Sequence, residues 1–481
     1  MRDTVQHLFR HADTETGPLP RRGAFLVVVA LVTMIGVLEW KRLPRGPFDS
    51  LSYDGFRYLA GACSLLEHGK YLDVDAQPQR TWPPGTSLLY AALAWITGQR
   101  PENLVTLIGL MSYLSIAIAL AMTMRTTIRR WPVAALGFAA IALNLAIISF
   151  TNKFWSEPPA LAALTWALLM TIDAIDRRSE GRMLAAALLF ALAVLFRFAL
   201  IATVPLALVT AAIATWRLRT LVLMLLIPIP MIVILRVLAP GAHTGAPFRI
   251  SSLPFGEDWK GLTELANQIV PTQLGWVGAL LFVALIGSVI WAAASAGVER
   301  GRREIALFVH VGWIVLYAMF LLLAQWIWVS PAPVIDLRML LPLYPSIVIV
   351  LATGADRLMG SGSRVLATLT MLAVAVGAAR ALHPLFQRSP HPAATCTTRD
   401  DVAYSIDRLR PALHGDIASN AQGLAWFVLR HPIRRLSDAT AGSLIILVDG
   451  SRTCPGTVET TELPRDTKLV AVDESVTIAR R

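Results

Sequence analysis

The residues best placed to do chemistry lie in a polar stretch, 41–102, that interrupts an otherwise apolar chain. It holds Asp49 and Asp54, then Tyr58, Gly69-Lys70-Tyr71 and Trp82-Pro83-Pro84-Gly85. A carboxylate at a water–lipid boundary can take a proton from an attacking hydroxyl. The alternative for Asp54 is a helix N-cap that accepts backbone N–H groups. Further along, Lys153, Glu157, Arg197 and Arg338 are charges set at the ends of apolar runs or within them. Arginine stays ionised and donates in a planar fork that suits an oxyanion. An ionisable residue inside a membrane span reads as functional by default. The structural alternatives are an assembly pair for Arg197, an interfacial anchor paired with Asp336 for Arg338, and a solvated loop charge for Lys153. Glu157, just before Pro158-Pro159, could simply be a favourable charge at a helix N-terminus.

The elements that must position these residues follow from composition. The 481 residues are 55% hydrophobic and 16% charged, with a mean hydropathy of +0.58. A soluble domain carries roughly 25% charged residues, so a soluble enzyme, a disordered chain and a disulfide scaffold are excluded. The net charge of +11 does not point to nucleic acid. The excess sits in short arginine clusters between apolar runs, as in a polytopic membrane protein. The three cysteines form no CxxC: Cys63 reads as a small buried residue, while Cys396 and Cys454 could pair in an oxidising compartment. The histidines show no metal spacing such as HExxH. No Walker or Rossmann glycine fingerprint occurs, which argues against a nucleotide-sugar donor held in the usual soluble fold.

A bilayer core needs roughly 20 apolar residues per helix. On that basis the spacing predicts about eleven spans: 24–40, 103–124, 132–150, 157–175, 183–198, 199–215, 220–239, 273–295, 305–328, 338–355 and 364–382. The first follows Arg21-Arg22 without a small-residue cleavage site and reads as a signal anchor. Residues 83–98 are apolar but short and begin with two prolines, so they read as an interfacial or re-entrant helix. RTTIRR (125–130), DRRSEGR (176–182), WRLR (216–219), ERGRRE (299–304) and DRLMGSGSR (356–364) then share the cytoplasmic side with the N-terminal segment 1–23. The opposite face carries the loop 41–102, the turn 151–160, the loop 240–272 and the tail 383–481.

In the loop, 54–69 has the spacing of an amphipathic helix suited to the membrane surface. In the tail, helical patterns at 401–413 and 421–431 alternate with strand-like runs at 416–420 and 443–449, which suggests a small α/β domain. Trp82, Trp155, Trp326 and Trp328 read mostly as an interfacial aromatic belt, with one or two available to stack on a sugar.

The string Asp54-Gly-Phe-Arg-Tyr58-Leu-Ala60, then Gly69-Lys-Tyr71, then Trp82-Pro-Pro-Gly85 resembles the first outer loop of the GT-C glycosyltransferases. The branch is the one related to dolichyl-phosphate-mannose protein mannosyltransferases and bacterial aminoarabinose transferases. Ser156-Glu157 matches an acidic position in that family's second outer loop. Arg197 in LFRF matches an arginine between adjacent spans, and Arg338 in LRMLLPLYP resembles the family's Arg-Tyr-x-x-Pro-x-Tyr-Pro motif. The chain departs from the pattern where Gly55 follows Asp54, where Thr86 and Ser87 follow Pro-Pro-Gly, and where Met339 follows Arg338. Asp49 stands four residues before Tyr53, which makes it the rival base.

The resemblance implies a polytopic α-helical fold, a GT-C-like transmembrane domain over 24–382, and an extracytoplasmic α/β domain over 383–481. It implies a donor sugar on a polyprenyl phosphate, and a lipid, glycan or protein acceptor at the outer face of a bacterial plasma membrane. Asp54 or Asp49 would be the base of a single inverting displacement. Arg197 and Arg338, supplemented by Lys153, would hold the phosphate. Glu157, Tyr58 and Trp82 would contact substrate, and a divalent cation, magnesium or manganese, could sit among Asp49, Asp54 and Glu157. A transporter or flippase of a lipid-linked sugar is the second reading. It calls for paired halves, which are not visible, and mid-membrane charges, of which Arg197 is the one hint. An envelope assembly factor is the third.

Overall fold

The computed structural model describes residues 19–42, 53–79, 82–214, 218–238, 301–327 and 337–360. In the tail it describes 406–407, 413, 416–419, 422–429, 431–435, 443–448, 468–473 and 476–480. Asp49, Cys396, Cys454, Trp328 and the expected spans 273–295 and 364–382 lie outside the described residues.

The described part before the tail is helical: α1 Leu19–Arg42, α2 Tyr53–His68, α3 Gly85–Thr97, α4 Val105–Thr127, α5 Trp131–Ala142, α6 Leu145–Thr151, α7 Glu157–Arg177 and α8 Glu180–Phe196. It continues with α9 Thr203–Ala214, α10 Leu218–Leu225, α11 Ile229–Leu238, α12 Arg302–Ile327, α13 Leu337–Leu340 and α14 Tyr344–Gly360. Among the described residues, five helices are long and apolar enough to cross a membrane: Gly23–Lys41, Pro101–Thr127, Glu157–Arg177, Arg302–Leu321 and Arg338–Met359.

Several of the expected spans are interrupted, each at a residue that explains it. The run 132–150 breaks into α5 and α6, because Asn144 turns its side chain onto the N–H groups of Ala146 and Ile147 and starts a new helix. The run 199–215 opens with a 3-10 turn, Phe198–Ala202. The run 220–239 divides into α10 and α11 around Pro228, whose ring cannot donate to the helix ladder.

The arginine clusters meet at one end of the bundle. Asp356, fully buried, accepts the backbone N–H of Arg129 at 3.0 Å and of Arg130 at 3.2 Å. It also pairs with the guanidiniums of Arg130 at 3.2 Å and Arg303 at 2.6 Å. Arg302 pairs with Asp176 at 3.0 Å and with Asp173, Arg182 with Asp173 at 2.7 Å, Arg219 with Glu180 at 3.1 Å, and Arg357 with Glu304. Described parts of all five clusters thus face one another, and buried acids offset the arginines that are drawn inward.

The opposite end is built differently. Helix α2 does not lay its apolar face on a membrane surface. Phe56, Tyr58, Leu59 and Ala62 are buried in a second core shared with α3 and the tail. Helix α3 is a short apolar helix of 13 residues, too short at 1.5 Å per residue to cross a bilayer. It ends in exposed Trp95 and Ile96.

The tail carries a five-stranded sheet of order β2-β1-β3-β5-β4, with β1 Ile417–Ser419, β2 Ile433–Arg435, β3 Leu444–Val448, β4 Lys468–Asp473 and β5 Val476–Arg480. Strand β1 runs parallel to both β2 and β3, while β5 pairs antiparallel with β3 and β4. Helix α15, Gln422–Leu429, packs on α2 through the Phe427 and Phe56 rings, 6.0 Å apart. The N–H of Ile433 donates to Val74 at 2.9 Å.

Candidate active site

Two glycine-permitted contacts fix the loop that carries Asp54. A Cβ at Gly85 would fall 2.6 Å from the carbonyl oxygen of Leu195 and 2.9 Å from the nitrogen of Phe196. The absent side chain lets the start of α3 touch the last turn of α8, where Arg197 leaves the helix in an extended conformation (φ −148°, ψ 113°). At Gly61 the missing Cβ makes room for the ring of Tyr71. Tyr71 is fully buried and donates its hydroxyl toward the carbonyls of Trp82 and Pro83, each at 3.2 Å. Ser87 donates to the Tyr58 carbonyl at 2.8 Å. The Gly-x-Tyr and Pro-Pro-Gly stretches therefore brace α2 against α3 and α8.

On this brace two ion pairs form side by side. Asp54, in the first turn of α2, has Oδ2 2.7 Å from Nη1 of Arg338. Glu157, in the first turn of α7, has Oε1 2.5 Å from Nη1 of Arg197. The side chains of Asp54 and Arg338 are 19% and 33% exposed, those of Glu157 and Arg197 7% and 13%, so the first pair opens toward solvent and the second lies beneath. Burial pushes the Asp54 carboxyl above its usual range. Arg338 pulls it back down in part, Glu157 adds to the rise and Arg197 opposes it. All four charges thus sense one another. The Nε of Arg197 is buried and donates to nothing among the described residues, which leaves an N–H ready for an anion.

The turn between α6 and α7 closes the site. Trp155 is buried, and its ring carries the Lys153 ammonium 4.7 Å from the centroid and the Arg338 guanidinium at 5.1 Å. Ser156 bonds the Tyr58 hydroxyl, and burial pushes that phenol well above its ordinary value, so it stays neutral. Trp82 is half-buried against Tyr58, ring centroids 6.0 Å apart.

Asp54, Tyr58, Trp82, Lys153, Glu157, Arg197 and Arg338 are thus one cluster. Asp54 lies within the first turn of α2 and pairs with Arg338, while Asp336, the partner named in the structural alternative for Arg338, lies outside the described residues. Arg197 does pair with an acid, as its structural alternative required, but that acid belongs to the site. Trp155 is not a belt residue: its faces are taken by two cations and by Phe150, 4.8 Å away. Two neighbours were not singled out from sequence. Tyr317, in the middle of α12, influences Arg197 and donates to the Met339 carbonyl at 2.8 Å. Ser156 was noted only as the neighbour of Glu157. A lone tyrosine hydroxyl within an apolar run was the available signal for Tyr317.

Asp49, the third of the carboxylates expected around a divalent cation, lies outside the described residues. Asp54 and Glu157 each already hold an arginine, and among the described residues no three His, Cys, Asp or Glu side chains gather into a metal-binding group.

The chain matches, over 96% of its length and 98% of the other's, the crystal structure of ArnT from Cupriavidus metallidurans bound to undecaprenyl phosphate. The TM-score is 0.53 and the identity 12%. The chain shares the ArnT fold. The apo crystal structure of ArnT from the same organism matches over 95% of this chain and 98% of its own, with a TM-score of 0.52 and 13% identity. No family model and no curated protein matches. The likeness is one of fold and spans almost the whole chain.

Proposed function

We propose that this protein is an integral membrane glycosyltransferase that moves a sugar from a polyprenyl-phosphate donor to an envelope acceptor. The observation that carries the reading is the buried Nε–H of Arg197, without a partner among the described residues, beside the Asp54–Arg338 pair. It puts an anion-ready donor within electrostatic reach of a carboxylate whose proton affinity is raised. Undecaprenyl phosphate on ArnT supplies the chemical class of the carrier.

The step is a single displacement. The acceptor hydroxyl attacks the anomeric carbon and its proton passes to Asp54. The bond from that carbon to the phosphate oxygen breaks, and its electron pair leaves with the phosphate. The configuration inverts. A phosphate leaves as a weak base, so one carboxylate suffices where a glycosidase usually needs two. Arg338, Arg197 and Lys153 hold the phosphate as its charge grows. Glu157 keeps Arg197 in place, and neutral Tyr58 and Trp82 line the sugar's side.

The arginine-rich end faces the cytoplasm by the positive-inside rule. The site, at the opposite end, then faces the exterior of the plasma membrane, as does the tail.

The test is transfer itself. Purified protein in lipid, given undecaprenyl-phosphate sugars and an envelope lipid extract, should release undecaprenyl phosphate and label the extract. No release from any such donor, with the protein folded, contradicts the reading.

A further inference from the structure

The guanidinium assigned to the donor's phosphate is already held by Asp54. Carboxylate and phosphate must therefore share Arg338, and the charge of one decides what the site tolerates of the other. Among the described residues the site holds Lys153, Arg197 and Arg338 against Asp54 and Glu157, which leaves one positive charge. A polyprenyl-phosphate sugar is a phosphodiester and carries one negative charge. The spent carrier is a phosphomonoester and carries close to two.

We propose that Asp54, beyond serving as base, selects the phosphate by charge. With its carboxylate ionised the site favours a phosphodiester monoanion, and with that charge removed it favours a phosphomonoester dianion. The inference rests on the glycosyltransferase reading.

The transfer step keeps the match throughout. Before it, a monoanionic diester meets a site of charge plus one. As the acceptor's proton moves to Asp54, the site becomes plus two and the phosphate becomes a dianion. Loss of that proton to water then restores the carboxylate beside Arg338 and expels the dianion. Proton departure and carrier release are one coupled event, and the free carrier is kept from blocking the site. Among the described residues the groups that face Asp54 are Arg338, Glu157, Arg197 and Tyr58. The arginines stay charged, the phenol stays neutral and Glu157 is held on Arg197 beneath, so Asp54, which shares Arg338 with the phosphate, is the carboxylate whose charge the ligand meets.

The full-length protein in detergent, at pH 8, is titrated with undecaprenyl phosphate and with its methyl diester, which carries no sugar. Wild type is expected to bind the diester more tightly. Removing a charge this close to a phosphate alters binding by about tenfold or more, so Asp54→Asn is expected to shift the ratio toward the monoester by that much. Asp54→Ser should do the same, which guards against a folding defect of one variant. In wild type, calorimetry in buffers of differing ionisation enthalpy should show proton uptake with the monoester and none with the diester. An unchanged ratio in both variants, or no proton uptake, overturns the inference alone. Failure of both lipids to bind wild type overturns the glycosyltransferase reading with it.

Discussion

Arg338 and Asp54 are 284 positions apart in the chain, yet their side chains meet at 2.7 Å. The contact joins the first polar loop to the short helix that opens the last described span. It places the proposed base and a proposed phosphate-binding arginine in one hydrogen bond. Asp54→Asn keeps an acceptor for Arg338 and removes the base. Transfer should fall by about 10²–10⁴-fold with little change in thermal unfolding. Arg338→Lys keeps the charge but loses the fork, so donor KM should rise while the protein stays folded. Steady-state kinetics with a polyprenyl-phosphate sugar checks both.

The pH profile follows from the sign of the shift. Burial raises the Asp54 carboxyl, and the base works only when ionised. Activity is therefore lost as pH falls through a value above the ordinary carboxylate range, about 3.9. The acid limb of kcat/KM should lie higher than that, and Asp54→Asn should flatten it. An acid limb at an ordinary carboxylate value would separate the base from Asp54.

Gly85 carries the geometric argument. An alanine there must push α3 away from the Leu195 carbonyl or strain the end of α8. Overpacking of this kind costs about 1–3 kcal/mol, and the displaced residue is Arg197. Gly85→Ala should lower both the unfolding temperature and the affinity for an undecaprenyl phosphate ligand. The exposed Gly23 and Gly181, with open space around them, should accept alanine in both assays.

Trp155 supplies the shelf on which Lys153 and Arg338 lie. A cation–π contact is worth about 0.5–2 kcal/mol. Trp155→Leu should weaken phosphate binding several-fold through lost cation positioning, and Trp155→Phe should keep most of it. Equal loss in both variants would make the residue a packing element only.

How much of this was readable in the chain depends on range. The loop motifs pick out Asp54, Tyr58 and Gly85, whose placement follows from local spacing: Tyr58 lies one turn beyond Asp54, and Gly85 opens a helix. Strand-like runs at 416–420 and 443–449 fall on β1 and β3, as alternation and apolar length imply. Long-range pairing was not readable. Nothing local tells that Arg338 chooses Asp54, that Glu157 chooses Arg197, or that Trp155 turns inward under two cations. The amphipathic pattern of α2 was read correctly as a face, but its cover was taken to be lipid. The pattern is the same whether lipid or the Phe427 ring lies on it.

At the other end of the bundle, Asp356 is fully buried between Arg130 and Arg303. Removing one partner of such a network leaves charges uncompensated, at a cost of about 3–5 kcal/mol. Asp356→Ala should lower the unfolding temperature sharply. In the fraction that folds, the affinity for an undecaprenyl phosphate ligand should be unchanged, because the site lies at the far end. Thermal unfolding and a lipid-binding titration on one preparation check the pair of statements.

The most direct measurement is a cryo-electron microscopy structure of the full chain with undecaprenyl methyl phosphodiester bound. The phosphate is expected within hydrogen-bond distance of both Arg338 and Arg197, with the Asp54 carboxylate turned off Arg338 and facing the ester oxygen that marks the anomeric position. A phosphate bound away from both arginines, with Asp54 still locked to Arg338, would contradict the account.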